Sequence, residues 1–194
     1  MENKVKFPKI RLTVTKQSGY CYHNYKVGDK LILEDFTHPP KHFCLGLAHS
    51  VFPPCYALTF GAKFPFEENQ RSIHTCCPDN GKLEFLTEIL DEEGKVEVVP
   101  KDPNHKGPNP KKMIISVEEV RGRCFYGYKK GDRWETTGLR TIPNFCGAAF
   151  HTLFPVLFAL NFGAKFSFME NPDSLDTVTC PDGGNVRFKA TRVQ

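Results

Sequence analysis

The sequence predicts an α+β protein: two tandem homologous β-β-α-β(-β) units packed as a pseudo-symmetric pair, each with a buried, Pro-kinked helix. The chain repeats itself. Phe43-Cys44, His49, Phe52-Pro53, Ala57-Leu58 and Phe60-Gly61-Ala62-Lys63-Phe64 recur 102 residues later as Phe145-Cys146, His151, Phe154-Pro155, Ala159-Leu160 and Phe162-Gly163-Ala164-Lys165-Phe166. Of the 30 positions 40–69, 15 are identical in the second copy. Flanking matches stand 103 residues apart. Cys21, Tyr25, Lys26, Gly28 and Asp29 answer to Cys124, Tyr128, Lys129, Gly131 and Asp132, and Cys77-Pro78-Asp79 to Cys180-Pro181-Asp182. Strand-like alternation flanks this block, and an apolar segment with helical spacing lies inside it.

In chain order, residues 10–14 alternate apolar and polar with β-branched side chains, a strand signature, and residues 113–120 are their counterpart. Lys26-Val27-Gly28-Asp29 and Lys129-Lys130-Gly131-Asp132 are turns, each leading into a second strand, 30–33 and 133–136. Segments 43–60 and 145–162 are helical but apolar nearly all round, which assigns them to the interior. Pro53 and Pro155 lie inside them, and each removes the N–H that would reach the carbonyl of His49 or His151, so a kink is expected there. Gly61 and Gly163 suit helix C-caps. Closing strands 83–89 and 185–193 follow Pro-Asp-x-Gly turns. The domains are thus residues 5–90, a Pro/Gly-rich linker 91–111 (with Pro100, Pro103, Pro108 and Pro110), and residues 112–194.

The net charge of +4 is modest and spread along the chain, which argues against a nucleic-acid partner. No apolar run approaches the roughly 18 to 20 residues that span a membrane, and the first six residues lack a secretory apolar stretch, so a cytoplasmic protein is expected. Eight cysteines are many for that reducing compartment; they are buried small hydrophobes, metal ligands or catalytic groups.

The motifs FCGAAF, LFPVLFALNFGAKF and CPDGGNVRFK of the second copy, with their first-copy equivalents, resemble a family of tandem-repeat proteins with a small Cys-containing domain, found mainly in anaerobic bacteria and archaea. The resemblance covers most of the chain outside the linker. It implies the repeat architecture and brings no assigned activity or catalytic residues.

Residues present in both copies are the candidates for chemistry. Cys21, Cys44 and Cys77, and Cys124, Cys146 and Cys180, would with His49 or His151 complete a Cys3His set suited to zinc. The set lacks a C-x2-C knuckle, and a continuous helix would turn Cys44 and His49 about 140° apart, Cys44 facing the core. Cys44 and Cys146 are therefore expected to be nearly inaccessible, and Cys76, without a partner in the second copy, to be the most reactive thiol. His49 and His151 are either core residues or a general acid or base tuned by burial. Lys63 and Lys165 either balance a helix C-terminus, pairing with Glu68 and Glu170, or bind an anion. Tyr25 and Tyr128 are core residues with one hydroxyl bond or acid catalysts.

The function expected is binding of a small molecule or of a metal ion such as Zn at a His/Cys/aromatic site near the junction of the copies. Its walls would be Phe52, Tyr56, Phe154 and Phe158, with Lys63 or Lys165 at the mouth. The alternatives are a small acid–base enzyme of lyase, isomerase or hydrolase type using His49 or His151, and a zinc-stabilised Cys3His interaction module.

Overall fold

The computed structural model describes residues 6–105, 107 and 109–193; residues 1–5, with the start of the first copy and most of the N-terminus read above, lie outside these, as do Lys106 and Pro108 of the linker and Gln194. The fold is α+β, with two four-stranded antiparallel sheets and two helices. The chain divides into two compact units. The first holds β1 (Ile10–Gln17), β2 (Lys30–Leu33), α1 (Leu45–Thr59), β3 (Ser72–Cys76) and β4 (Leu83–Ile89), with sheet order β2-β1-β4-β3. The second holds β5 (Lys112–Val120), β6 (Arg133–Thr137), α2 (Gly147–Asn161), β7 (Ser174–Thr179) and β8 (Val186–Val193), with order β6-β5-β8-β7.

Period-two alternation decides which sheet face is covered. Ile10, Leu12 and Val14 of β1 and Leu83, Phe85 and Ile89 of β4 are buried, as are Met113, Ile115 and Val117 of β5 and Val186, Phe188 and Ala190 of β8. Each helix packs on its own sheet, α1 against β3 and β4, α2 against β5, β7 and β8. The turns before β2 and β6 are held alike: Asp29 Oδ2 accepts the Lys26 N–H and Asp132 Oδ2 the Lys129 N–H, both at 2.8 Å. Helix α2 ends in a Schellman motif, with the Gly163 N–H on the Leu160 carbonyl at 3.1 Å and the Ala164 N–H on the Ala159 carbonyl at 3.0 Å. Gly163 sits at φ 86°, where a side chain would be strained.

The helices are not enclosed on every side, contrary to the expectation from their composition. Leu45 is 83% exposed and His49 and Phe52 lie on the outer face of α1; on α2 the outer positions include Gly147, Ala148 and His151. A helix lying on one sheet buries a stripe, here Leu47, Val51, Pro54, Cys55, Ala57 and Leu58, and leaves residues such as Leu45, His49 and Phe52 exposed. Part of the expected linker is tied down. The Val99 N–H donates to Asn69 Oδ1 at 2.9 Å, the Gln70 N–H to the Val99 carbonyl at 2.8 Å, and the Lys101 N–H to the Glu68 carbonyl at 3.0 Å.

Edge strands β3 and β7 differ by one residue. His74 alone faces Leu86, whereas the register of β7 shifts between Leu175 and Val178, so Asp176 and Thr177 together occupy the equivalent place. This is a β-bulge, and the Asp176 carbonyl within it accepts from Arg187 Nη1 at 3.0 Å. Among the described residues no helix is long and apolar enough to cross a membrane.

Candidate functional site

Each unit brings its three shared cysteines to the wall of one cavity. In the first, Cys21, Cys44 and Cys77 line a cavity of about 360 Å³ with Tyr25, Pro78, Asp79 and Phe85. In the second, Cys124, Cys146 and Cys180 line one of about 160 Å³ with Tyr128, Pro181, Asp182 and Phe188. The two linings correspond residue for residue at the offsets of 102 and 103, with 14 positions in each, and seven of the 14 pairs are identical. Those seven are the residues just named.

Local backbone positions each thiol. Cys21 and Cys124 open tight turns in the loop between the first two strands: the Asn24 N–H reaches the Cys21 carbonyl at 2.9 Å, and the Gly127 N–H the Cys124 carbonyl at 3.0 Å. Asn24 and Gly127 take positive φ, 56° and 71°, which asparagine and glycine tolerate best. Cys44 and Cys146 stand at the helix entrances, where their carbonyls accept from Ala48 and Phe150 at 2.8 and 2.9 Å. Cys146 is the N-cap of α2 in extended conformation, and its side chain makes no capping bond. The Cys44 and Cys146 N–H groups donate to the Tyr25 and Tyr128 hydroxyls at 3.3 and 2.7 Å. Cys77 and Cys180 follow the edge strands, their N–H groups on the Leu83 and Val186 carbonyls, both at 2.9 Å. Their thiols lie 3.6 Å from the Asp79 and Asp182 carbonyls, and Cys180 Sγ accepts the Val186 N–H at 3.3 Å.

Burial is the main cause that holds the Tyr25 and Tyr128 hydroxyls above the ordinary phenol value; the bond from the cysteine N–H opposes it, and the neighbouring thiols, Cys44 and Cys21 or Cys146 and Cys124, add to it. Both tyrosines therefore stay protonated at neutral pH. At the first mouth Lys82 pairs with Asp79 at 2.9 Å, and His23 stacks on Tyr25 at 5.6 Å. Asn185 and Tyr126 take the places of Lys82 and His23 in the second unit, and Ala148 that of Gly46. A Cβ added at Gly46 would meet Pro78 Cγ at 3.1 Å, a tight contact.

Several sequence-derived candidates stand elsewhere. His49 and His151 are exposed and belong to neither cavity wall, so the burial invoked to tune them is absent. Among the described residues no three His, Cys, Asp or Glu side chains are arranged to hold a metal ion, and the Cys3His sets are not assembled. Cys44 and Cys146 are half-buried rather than inaccessible, because they precede the helices and face cavities instead of the core. Lys63 and Lys165 are exposed. Lys165 pairs with Asp173 at 2.7 Å rather than with Glu170, and Glu68 pairs with Lys101 at 2.9 Å. Phe52 and Tyr56 gather on Phe36, at 6.1 and 5.4 Å, while Phe154 and Phe158 pair at 5.8 Å. Burial pushes the Tyr56 hydroxyl strongly up.

The thiols divide by environment. Cys55 is fully buried and desolvation pushes it up to about 12, whereas Cys76 is exposed. A bulky maleimide should modify Cys76 first, the six cavity cysteines more slowly, and Cys55 only after unfolding. Peptide mass spectrometry over a time course reads the order, and early modification of Cys55 would contradict it.

Comparison with protein-family models, with curated proteins and with solved structures finds no match.

Proposed function

We propose that the protein is a duplicated binding module with two like sites, each offering three thiols and a tyrosine hydroxyl to one thiophilic ligand. The correspondence of the two cavity linings supports this most directly. Within the cavities His23 has become Tyr126 and Lys82 has become Asn185, yet all three thiols, the hydroxyl and the aspartate are the same in both. Packing alone does not require thiols at a half-exposed wall, since Ala or Ser fills similar space. Thiolates select soft metals and metal clusters over hard ions.

Binding fits better than thiol catalysis. A nucleophilic cysteine is commonly activated by a base within hydrogen-bond reach. His23, the imidazole lining the first cavity, is replaced by Tyr126 in the second unit, so the two cavities share no thiol–imidazole pair. Such a protein would work in a reducing compartment, where eight free thiols persist.

Cadmium(II) is a suitable probe, because thiolate coordination gives a charge-transfer absorption in the ultraviolet. Titration of the reduced full chain should saturate at about two equivalents, one per cavity. Cys44→Ser and Cys146→Ser should each remove one equivalent and together remove both. Cadmium uptake unchanged in both single variants and in the double variant would sink the proposal.

A further inference from the structure

We infer that the ligand of each cavity is an iron–sulfur cluster carried by three cysteines, with one iron left without a protein ligand; this rests on the thiophilic sites proposed above. The thiols themselves point beyond a bare ion. Cys21, Cys44 and Cys77 come from three separate segments and line one cavity, as do Cys124, Cys146 and Cys180. A zinc-like ion draws every sulfur to about 2.3 Å from a single centre. A cluster distributes its thiolates over separate iron atoms, so it suits three cysteines contributed by separate segments around one space. The space is present, about 160 and 360 Å³, far more than an ion fills.

The remaining cavity groups match sulfur as an acceptor. The Val186 N–H already donates to Cys180 Sγ at 3.3 Å. Each tyrosine hydroxyl accepts a cysteine N–H, which leaves its own proton for an acceptor in the cavity. Cluster sulfides and cysteine thiolates are such acceptors, and hydrogen bonds to sulfur together with burial set a cluster's potential. Phe85 and Leu83, or Phe188 and Val186, supply apolar wall beside them. Binding converts three thiols to thiolates and releases their protons to solvent. With three protein sulfurs for a four-iron cage, the fourth iron takes a ligand from outside. The first cavity has more room for that ligand, having Gly46 where the second has Ala148.

The reduced full chain is incubated anaerobically with equal amounts of ferrous and ferric iron and with sulfide, which together supply the mixed-valence cage, then desalted and assayed for iron and acid-labile sulfide. About eight of each per chain are expected, four per cavity, with broad visible absorption that bleaches on reduction. Serine replacement of Cys21, Cys44 and Cys77 together, or of Cys124, Cys146 and Cys180 together, should halve both contents. Tyr25→Phe with Tyr128→Phe should keep the iron and shift the reduction potential, which a merely space-filling tyrosine would not do. Iron without sulfide, or cadmium at two equivalents with no cluster formed, overturns the cluster and leaves the thiophilic sites standing. Neither cadmium nor cluster uptake overturns both. Full iron and sulfide in the two triple variants also overturns it, and the wild-type assay decides even if a variant fails to fold.

Discussion

Phe85→Ala should destabilise the first unit by about 3 to 5 kcal/mol, the range for truncating a fully buried phenylalanine. Phe85 is completely inaccessible and sits on β4, opposite Val14 of β1 and Thr75 of β3, in the middle of the sheet. Its ring also forms part of the wall of the three-thiol cavity. Neighbouring strands are fixed by their ladders and cannot close over the void, so the lost contacts are only partly recovered. Denaturant unfolding of the wild type and of the variant gives the difference directly. Phe188→Ala should act similarly in the second unit, because Phe188 holds the same place opposite Val117 and Val178. A loss below about 1 kcal/mol would mean that the site collapses or is not packed as described.

Asp173→Asn should cost about 3 kcal/mol or more, by stranding a buried cation. Arg192 and Asp173 are ion-paired with side chains only 8% and 12% exposed. The guanidinium also donates to the Leu160 carbonyl at the end of α2, at 2.7 Å, and Lys165 Nζ donates to both Asp173 oxygens at 2.7 Å. An amide leaves Arg192 buried without its counter-charge. The pH dependence has a definite sign. Burial by itself would raise the Asp173 carboxyl, but the Lys165 hydrogen bond and the charges of Arg192 and Lys165 outweigh it and hold the group below the ordinary aspartate value. A carboxylate depressed in the folded state stabilises the protein above its unfolded pKa, near 3.9, and that contribution disappears as pH falls through the lower folded value. The gap in stability between wild type and Asp173→Asn should therefore be full at pH 7 and narrow in acid. Denaturant midpoints compared across that range test this, and a gap that widens in acid would refute it.

The sequence made some of this legible and concealed the rest for identifiable reasons. Strands β2 and β4 are visible at the observed bounds, since alternation and flanking turns are local signals. Edge strands β3 and β7 carry little alternation, and only pairing with β4 and β8 defines them. Comparison of the two copies picked out all six cavity cysteines and both tyrosines, but not their convergence. Helical geometry extrapolated back through Cys44 turned that thiol toward the core, whereas α1 begins one residue later, at Leu45. The Asp173–Arg192 pair was invisible to the same comparison. The first copy has Arg71 and Ile89 at those places, and Arg71 pairs with Glu97 at 3.1 Å instead.

The unequal edge strands bear on how the halves differ locally in length. Cys21 to Cys77 and Cys124 to Cys180 both span 56 residues, so the residue gained in β7 offsets one fewer before α2. Ser174 stands 102 residues after Ser72, but Thr179 stands 103 after Cys76, so the extra residue of the second half is taken up between them. An edge strand has neighbours on one side only, and it can swell outward without pushing a second ladder out of step. The phase is restored before the chain reaches Cys180, which meets its cavity as Cys77 does. The outermost strand thus works as an expansion joint, letting the chain gain a residue while the thiol beyond it keeps its aim.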